Sequence, residues 1–341
     1  MPTDKGTTNK LCVFTNTNFH FGQGVSIVAR PETARKLVDD RLLMKSRYEY
    51  PSSDVKYEAI DRPALGVGLF VKPEHRYFAG ETIMVDYPTL VLPSGAVDSV
   101  DLNLLNNLRW KALLQLSKET RARTRGLAQS KGGYMDEIVN VFDTNAFTHE
   151  KAGDLHDIIF AKAARMNHNC LPNAFTRTNH SSFAMEVIAL RDIRDGEEIT
   201  ISYLDASTES TSKERRNKLS SDWNFDCGCS ICAPGKGTKE ESDRRREKIA
   251  KERKLLQSSR GDAAKIMRHV ETMLGLFDEE GMIMPKAEYY ALAAHASKHL
   301  GRRKDAMEFA ELAKGQWNII FGPESRECAS MDEFQLELGA A

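Results

Sequence analysis

Apolar residues along this chain change their spacing several times, and each change predicts a different element. Val67–Val71 and Thr82–Val85 are short apolar runs separated by turn-forming residues from Pro73 to Gly80, which reads as strand, turn, strand. Pro88 breaks the second run, and Thr89–Leu92 resumes it. Over residues 101–130 the period lengthens. Leu102, Leu104, Leu105, Leu108, Leu113, Leu114 and Leu116 recur at roughly helical spacing. Val139–Thr148 reads as the end of a second helix and a loop, and Ile158–Met166 as a further apolar helix. Strands return at Phe183–Leu190 and, after a turn at Asp192–Gly196, at Ile199–Tyr203, where apolar and polar positions alternate. Upstream, Gly24–Val28 predicts a strand, Pro31–Leu43 a helix, and Pro51-Ser52-Ser53-Asp54 a linker before the strand pattern begins at Tyr57.

Residues 236–254 carry a mixed charge run of low hydrophobicity. It reads as a solvated linker entering a helix, with a basic contact surface as the alternative. From Asp262 the pattern is helical throughout. Ala287–His299 and Lys304–Gln316 predict an antiparallel pair around Leu300-Gly301, and small residues at Ala291, Ala294, Ala306 and Ala310 permit close packing. The pair resembles a tetratricopeptide-like hairpin, with only one or two units visible.

Composition adds exclusions. With 41% hydrophobic and 28% charged residues, a globular core of useful size is expected. The net charge of -1 supplies no global field toward nucleic acid or membrane, so neither is expected as a direct partner. No apolar run reaches the length of a membrane span. Met1–Lys10 is polar and lacks the apolar segment of a secretion signal. Of 6 cysteines, Cys227, Cys229 and Cys232 crowd into one short stretch. Without an export signal, that crowding reads as metal binding rather than disulfides, and the expected compartment is reducing: nucleus, cytoplasm or both.

Cys227-x-Cys229-x-x-Cys232 offers three thiolates, and a closed structural zinc site needs a fourth ligand. Cys12, Cys170 and Cys328 are candidates, with His168 a weaker one. Two further runs carry chemistry. Asn167-His168-Asn169-Cys170-Leu171-Pro172-Asn173 could by itself be a polar turn. Gly196-Glu197-Glu198-Ile199-Thr200-Ile201-Ser202-Tyr203 could be a turn entering a half-buried strand.

Taken in order, Asn-His-x-Cys-x-Pro-Asn, then Gly-Glu-Glu-x-Thr-x-x-Tyr, then Cys-x-Cys-x-x-Cys resemble the signature of a SET-domain protein lysine methyltransferase with its post-SET segment. Gly66-Val67-Gly68-Leu69-Phe70 sits where that family has its Gly-x-Gly cofactor loop, and Asn145-Ala146-Phe147 resembles the Asn-x-Phe element of the SET-and-MYND type. The resemblance covers about Tyr57 to Pro234. More loosely, Cys12–Val38 and the C-terminal helices resemble fungal members. A MYND finger needs about eight Cys or His ligands, and too few cysteines remain, so that finger is expected to be lacking.

The resemblance implies an α+β fold: small SET sheets with a helical insertion near 95–145, closed by a zinc loop and followed by an all-α C-terminal domain. The implied divisions are an N-terminal extension over 1–56, the SET domain over 57–205, the post-SET zinc segment over 206–235, and the helical domain over 236–341. It implies S-adenosylmethionine as cofactor and one structural zinc held by Cys170, Cys227, Cys229 and Cys232. It further implies cofactor contacts from Gly66, Gly68, Leu69, Asn145, Asn167, His168, Tyr203 and Phe225. Tyr203 would be the catalytic hydroxyl at the end of the lysine channel, which Trp223 and Phe183 would line. The implied partner is a lysine-bearing protein, histones among the possibilities, met by a monomer. Two departures stand out. Val67 replaces the polar or basic residue often found in the Gly-x-Gly loop. Trp223 stands where related animal enzymes place a channel tyrosine, and a wider indole would limit how many methyl groups are added. A SET fold kept only for binding through its helices is the competing reading, and methylation of a non-protein amine a third.

Overall fold

The computed structural model describes residues 10–39, 55–62, 66–95, 100–130, 135–151, 153–178, 183–204, 209–233, 238–259 and 261–340. The chain opens with β1 (Cys12–Asn16), β2 (Val25–Ala29) and helix α1 (Pro31–Asp39). β3 (Tyr57–Arg62) and β4 (Gly66–Val71) follow, then β5 (Thr82–Asp86) and β6 (Leu90–Pro93) on either side of Tyr87-Pro88. The helical insertion contains α2 (Leu102–Leu114), α3 (Lys118–Arg125) and α4 (Glu137–Asn145). Asp101, Ser117 and Asp136 cap these helices by accepting from backbone N–H groups of the first turns. Short strands then resume: β7 (Phe147–Lys151), β8 (Asp154–Ile159), β9 (Asn167–His168), β10 (Ala174–Thr178), β11 (Met185–Ala189) and β12 (Glu198–Ile201).

These strands form three sheets, ordered β1-β2-β6-β8-β7, β10-β11-β5 and β3-β4-β12-β9. The five-stranded sheet is buried on both faces. Its Ile27, Val91 and Ile158 face a central core shared with Phe160, Phe183 and Ile199, while Val28, Leu90, Leu92 and Ile159 face Leu105, Leu113 and Val141 of the insertion. Each fully buried side chain of this size contributes about 1.5–3 kcal/mol.

Burial on both faces explains one departure from the sequence reading. Ile158–Met166 is not a helix: β8 ends at Ile159, and a single tight turn at Ala163–Arg165 follows. A strand covered on both sides is apolar at every position, and periodicity does not separate it from a helix. Phe147 and Thr148, expected in a loop, begin β7. The boundary read at Tyr57 also divides what the fold joins. β2 pairs in parallel with β6, Ser26 opposite Leu90, so the first strands form an edge of the five-stranded sheet. The Pro51–Asp54 linker and the end of the Pro31–Leu43 helix lie outside the described residues.

Five helices follow: α5 (Ser212–Trp223), α6 (Thr238–Ser258), α7 (Ala263–Glu280), α8 (Lys286–His299), α9 (Arg303–Phe321), and a last one, α10 (Arg326–Ala340), closes the chain. Where a linker was expected over 236–254, α6 is continuous. Its buried stripe is Ser242, Arg246 and Ile249, at helical spacing but largely polar. The fully buried carboxylate of Glu280 satisfies it, accepting from Ser242 and pairing with Arg245 at 2.7 Å and Arg246 at 2.8 Å. Between α8 and α9 the small residues Ala291, Ala294, Ala306 and Ala310 are buried as the sequence predicts.

Candidate active site

Three contacts fix the segment that carries Asn167 and His168. The buried Asp86 carboxylate accepts from the backbone N–H groups of Lys162 at 2.7 Å, Ala163 at 2.9 Å and Tyr87 at 2.9 Å, and so holds the turn before it. β9 pairs in parallel with β12, Asn167 opposite Thr200 and His168 opposite Ile201. Beyond the strand, Asn173 Oδ1 accepts from Thr200 N at 2.8 Å, and its Nδ2 donates to the Glu198 carbonyl at 2.8 Å. The first motif is thereby laid across the second.

At that crossing Asn167 Nδ2 donates to Glu198 Oε1 at 2.7 Å. Gly68 lies directly against the pair. A Cβ there would stand 2.3 Å from Glu198 Oε1 and 2.9 Å from Asn167 Nδ2. Gly66 differs: its φ of +73° favours glycine, and open space surrounds its Cβ position. Leu69 turns its side chain into the central core, leaving only its backbone toward the site. Gly68→Ala is expected to break the Asn167–Glu198 bond and to destabilise the fold by about 1–3 kcal/mol, the usual cost of overpacking. Thermal melting checks this, and an unchanged midpoint would refute it.

Aromatic rings gather around Tyr203. Its ring centroid lies 5.3 Å from Trp223, 5.4 Å from His168 and 6.3 Å from Phe225. The Tyr203 hydroxyl donates to the Met166 carbonyl at 2.7 Å. Burial, with a smaller contribution from Glu198, raises its pKa well above the ordinary phenol value. Tyr203 N donates to His168 Nδ1 at 3.0 Å, which places the proton of the neutral imidazole on Nε2. Burial, with Arg215 nearby, pushes the His168 pKa down to about 4, against an opposing pull from Cys229. Trp223 Nε1 donates to the Thr144 carbonyl at 3.1 Å. Next to it, the buried Asn145 donates Nδ2 to the carbonyls of Ala128 and Val141, both at 2.8 Å. Phe183 is a correction. It was expected to line a channel, but it is completely buried in the central core with a left-handed backbone, φ 55°, and reaches no opening.

The sulfurs of Cys170, Cys227, Cys229 and Cys232 all lie within 4.8 Å of one another. Cys170 Sγ is 3.8 Å from Cys227 Sγ and 3.5 Å from Cys232 Sγ. A tetrahedral zinc with bonds of about 2.3 Å spaces its sulfurs by roughly 3.8 Å, so the set fits that ion. Cys12 and Cys328 stand apart, bonded to backbone carbonyls of Lys10 and of Lys314 and Gly322. His168 Nε2 is 3.3 Å from Cys170 Sγ, placed to donate to the thiolate rather than to ligate. Crowded thiols resist joint ionisation: hydrogen bonds from Cys170, Cys227 and Cys232 pull Cys229 far down, while bonds with Cys227, Cys229 and Cys232 push Cys170 far up. A divalent cation at the centre allows all four to carry charge.

Sequence reasoning missed the residues that serve this cluster. Arg215, only 3% exposed, donates Nη2 to Cys232 Sγ at 3.6 Å. Burial lowers its pKa, but the Cys170 and Cys232 thiolates reverse this and leave it raised. Arg246, held by Glu280, lines with Arg215 and Cys170 a cavity of about 260 Å³ that Phe175, Leu204, Met282 and Met284 complete. Glu198 and Asn173 stood inside the quoted motifs without a role. Arg215, Arg246 and Glu280 belong to no local pattern.

The family model described as SET domain matches residues 11–204. Among curated proteins, the chain is similar to Protein-lysine N-trimethyltransferase SMYD5 of Mus musculus, 41% identical over 22% of this chain and 18% of that protein. It is similar to Histone-lysine N-methyltransferase set5 of Schizosaccharomyces pombe, 29% identical over 57% of this chain and 56% of the relative. Histone-lysine N-methyltransferase Smyd1 of Mus musculus is 34% identical over 30% of this chain and 23% of the relative. The matched stretches therefore span from less than a fifth to about half of those relatives' own lengths.

Proposed function

The chain belongs to the SET-domain family, and from that premise we propose that it is a protein-lysine N-methyltransferase using S-adenosylmethionine. The observation that carries this reading is the convergence of Asn167, Tyr203 and Phe225 beside the thiol cluster that ties Cys170 to the 227–232 loop.

The cofactor, when bound, supplies a methyl group on a positively charged sulfur. Phe225 is half-buried and offers a ring face for adenine. Glu198 and Asn167 supply acceptors for an ammonium group. The backbone at Gly66 allows close approach. Asn145 orders the Ala128 backbone beside the cofactor. The substrate amine must arrive neutral, although its ordinary pKa is about 10.4. Tyr203 and Trp223 form a wall of aromatic faces that tolerates the entering cation and disfavours water. Alignment of amine, methyl and sulfur accounts for much of the rate. In this reading Cys170, Cys227, Cys229 and Cys232 hold one structural zinc, the cavity bounded by Phe175 and Met282–Met284 receives substrate peptide, and the protein works as a monomer in nucleus or cytoplasm. No helix among the described residues is long and apolar enough to cross a membrane.

Incubation of the pure protein with labelled S-adenosylmethionine and mixed histones or cell extract tests the activity. Label on lysine is expected; cofactor binding without any transfer would mark a binding module instead. Mass spectrometry of the same products tests the indole. Trp223→Tyr should shift the product toward more methyl groups, and identical product states would count against a narrowing role.

A further inference from the structure

The cofactor ends in an amino acid, with an α-ammonium and an α-carboxylate. None of Gly66, Gly68, Leu69, Asn145, Asn167, His168, Tyr203 and Phe225 brings a positive charge, since His168 is neutral. Glu198, beside Asn167, suits the ammonium and repels the carboxylate. A cation is therefore missing from the assigned set.

Arg165 stands where one is needed. It ends the turn at Ala163–Arg165, which packs against β4, the strand carrying Gly66 and Gly68. Met166 is extended, φ -75° and ψ 129°, and its side chain is buried. In an extended segment alternate side chains leave on the same side, so Arg165 and Asn167 share the side opposite Met166. The guanidinium reaches the Gly126 carbonyl at 3.5 Å, a long contact, on the loop that Asn145 holds at Ala128. Arg165 thus lies between the Asn167 and Asn145 elements. Among the described residues no carboxylate pairs with it, and the charge acting on it is another cation, Arg123. Burial first, and Arg123 second, lower its pKa. A half-buried guanidinium beside a second one, with no anion, is an unfavourable arrangement that a bound carboxylate relieves.

The geometry points to Arg165, supported by Arg123, as the site that binds the cofactor's α-carboxylate and selects for the intact amino acid end. This rests on the cofactor reading above. Titration calorimetry with S-adenosylmethionine and with decarboxylated S-adenosylmethionine separates the two. A charge-assisted hydrogen bond corresponds to about a ten- to hundredfold preference for the intact cofactor in the wild type. Arg165→Met should abolish that preference while binding the decarboxylated form within about threefold of wild type, and Arg165→Lys should restore part of it. If Arg165→Met fails to fold, the exposed Arg123→Met reads the same preference, reduced by about two- to fivefold. Equal weakening toward both ligands in Arg165→Met, or no preference in the wild type, overturns the assignment alone. A wild type that binds neither ligand overturns the cofactor reading as well.

Discussion

Cys229→Ser is expected to strip the metal, lower the melting midpoint by about 10 °C and remove methyl transfer. Structural zinc is worth about 10–16 kcal/mol in small zinc peptides, comparable to the whole stability of many domains. Here the large sheet core does not depend on the ion, so the loss is local at first. It strands charge, however. Arg215 and Arg246 are 3% and 2% exposed, and the thiolates balance the first of them directly. Leaving a buried charge without its partner costs about 3–5 kcal/mol, and in a chain of this size each kcal/mol shifts the midpoint by about 2–4 °C. The 227–232 loop also carries Phe225 and follows Trp223, so its release opens the aromatic wall around Tyr203. Metal analysis should find about one zinc per wild-type chain and well under half that in the variant. Full zinc content with an unshifted melt would sink the four-thiolate centre.

The consequences of this cluster reach beyond the loop. Cys170 follows β9, Arg215 sits on α5, and Arg246 on α6 is held by Glu280 at the end of α7. One centre therefore touches the cofactor strand, the post-SET segment and the helical domain. The run over 236–254, read as a linker, is the helix that brings Arg246 there.

What the sequence disclosed and what it hid follow a physical division. Asn167, His168, Cys170, Tyr203 and the three later cysteines were legible because spacing along the chain sets their chemistry, and the fold brings them together. The helix pair of α8 and α9 was legible from its alanines. Contacts between distant segments were not. Glu198 meets Asn167 across 31 residues, and Arg246 meets Glu280 across 34. Neither pairing leaves a local trace, because a buried arginine and a surface arginine look alike in a charge run. β8 was hidden because burial on both faces erases alternation. Phe183 misled for the opposite reason: an aromatic at a strand entrance suits a channel wall or a core, and only the left-handed backbone that turns it inward decides.

Tyr203→Phe is expected to lower kcat by about a hundred- to thousandfold while cofactor affinity stays within about threefold, the pattern of a group that acts mainly in the transition state. The ring itself is retained by packing against His168, Trp223 and Phe225, so the substitution removes one oxygen and little else. That oxygen is oriented: its proton is committed to the Met166 carbonyl at 2.7 Å, which turns the lone pairs away from the main chain. Tyr203 is a poor base, because burial and Glu198 raise its pKa above the ordinary phenol value. It stays protonated through neutral pH, and its role is to steer the amine and steady developing charge. The alkaline rise in rate then belongs to the substrate amine, near its own pKa of about 10.4, and should persist in the variant with unchanged shape. Losing one hydrogen bond costs about 0.5–1.5 kcal/mol of stability, too little to explain a large kinetic loss through unfolding. Labelled-methyl kinetics and calorimetric cofactor binding read the two quantities separately. Retention of more than a third of wild-type turnover, or an affinity that falls in step with kcat, would remove Tyr203 from the chemistry and leave it a packing residue.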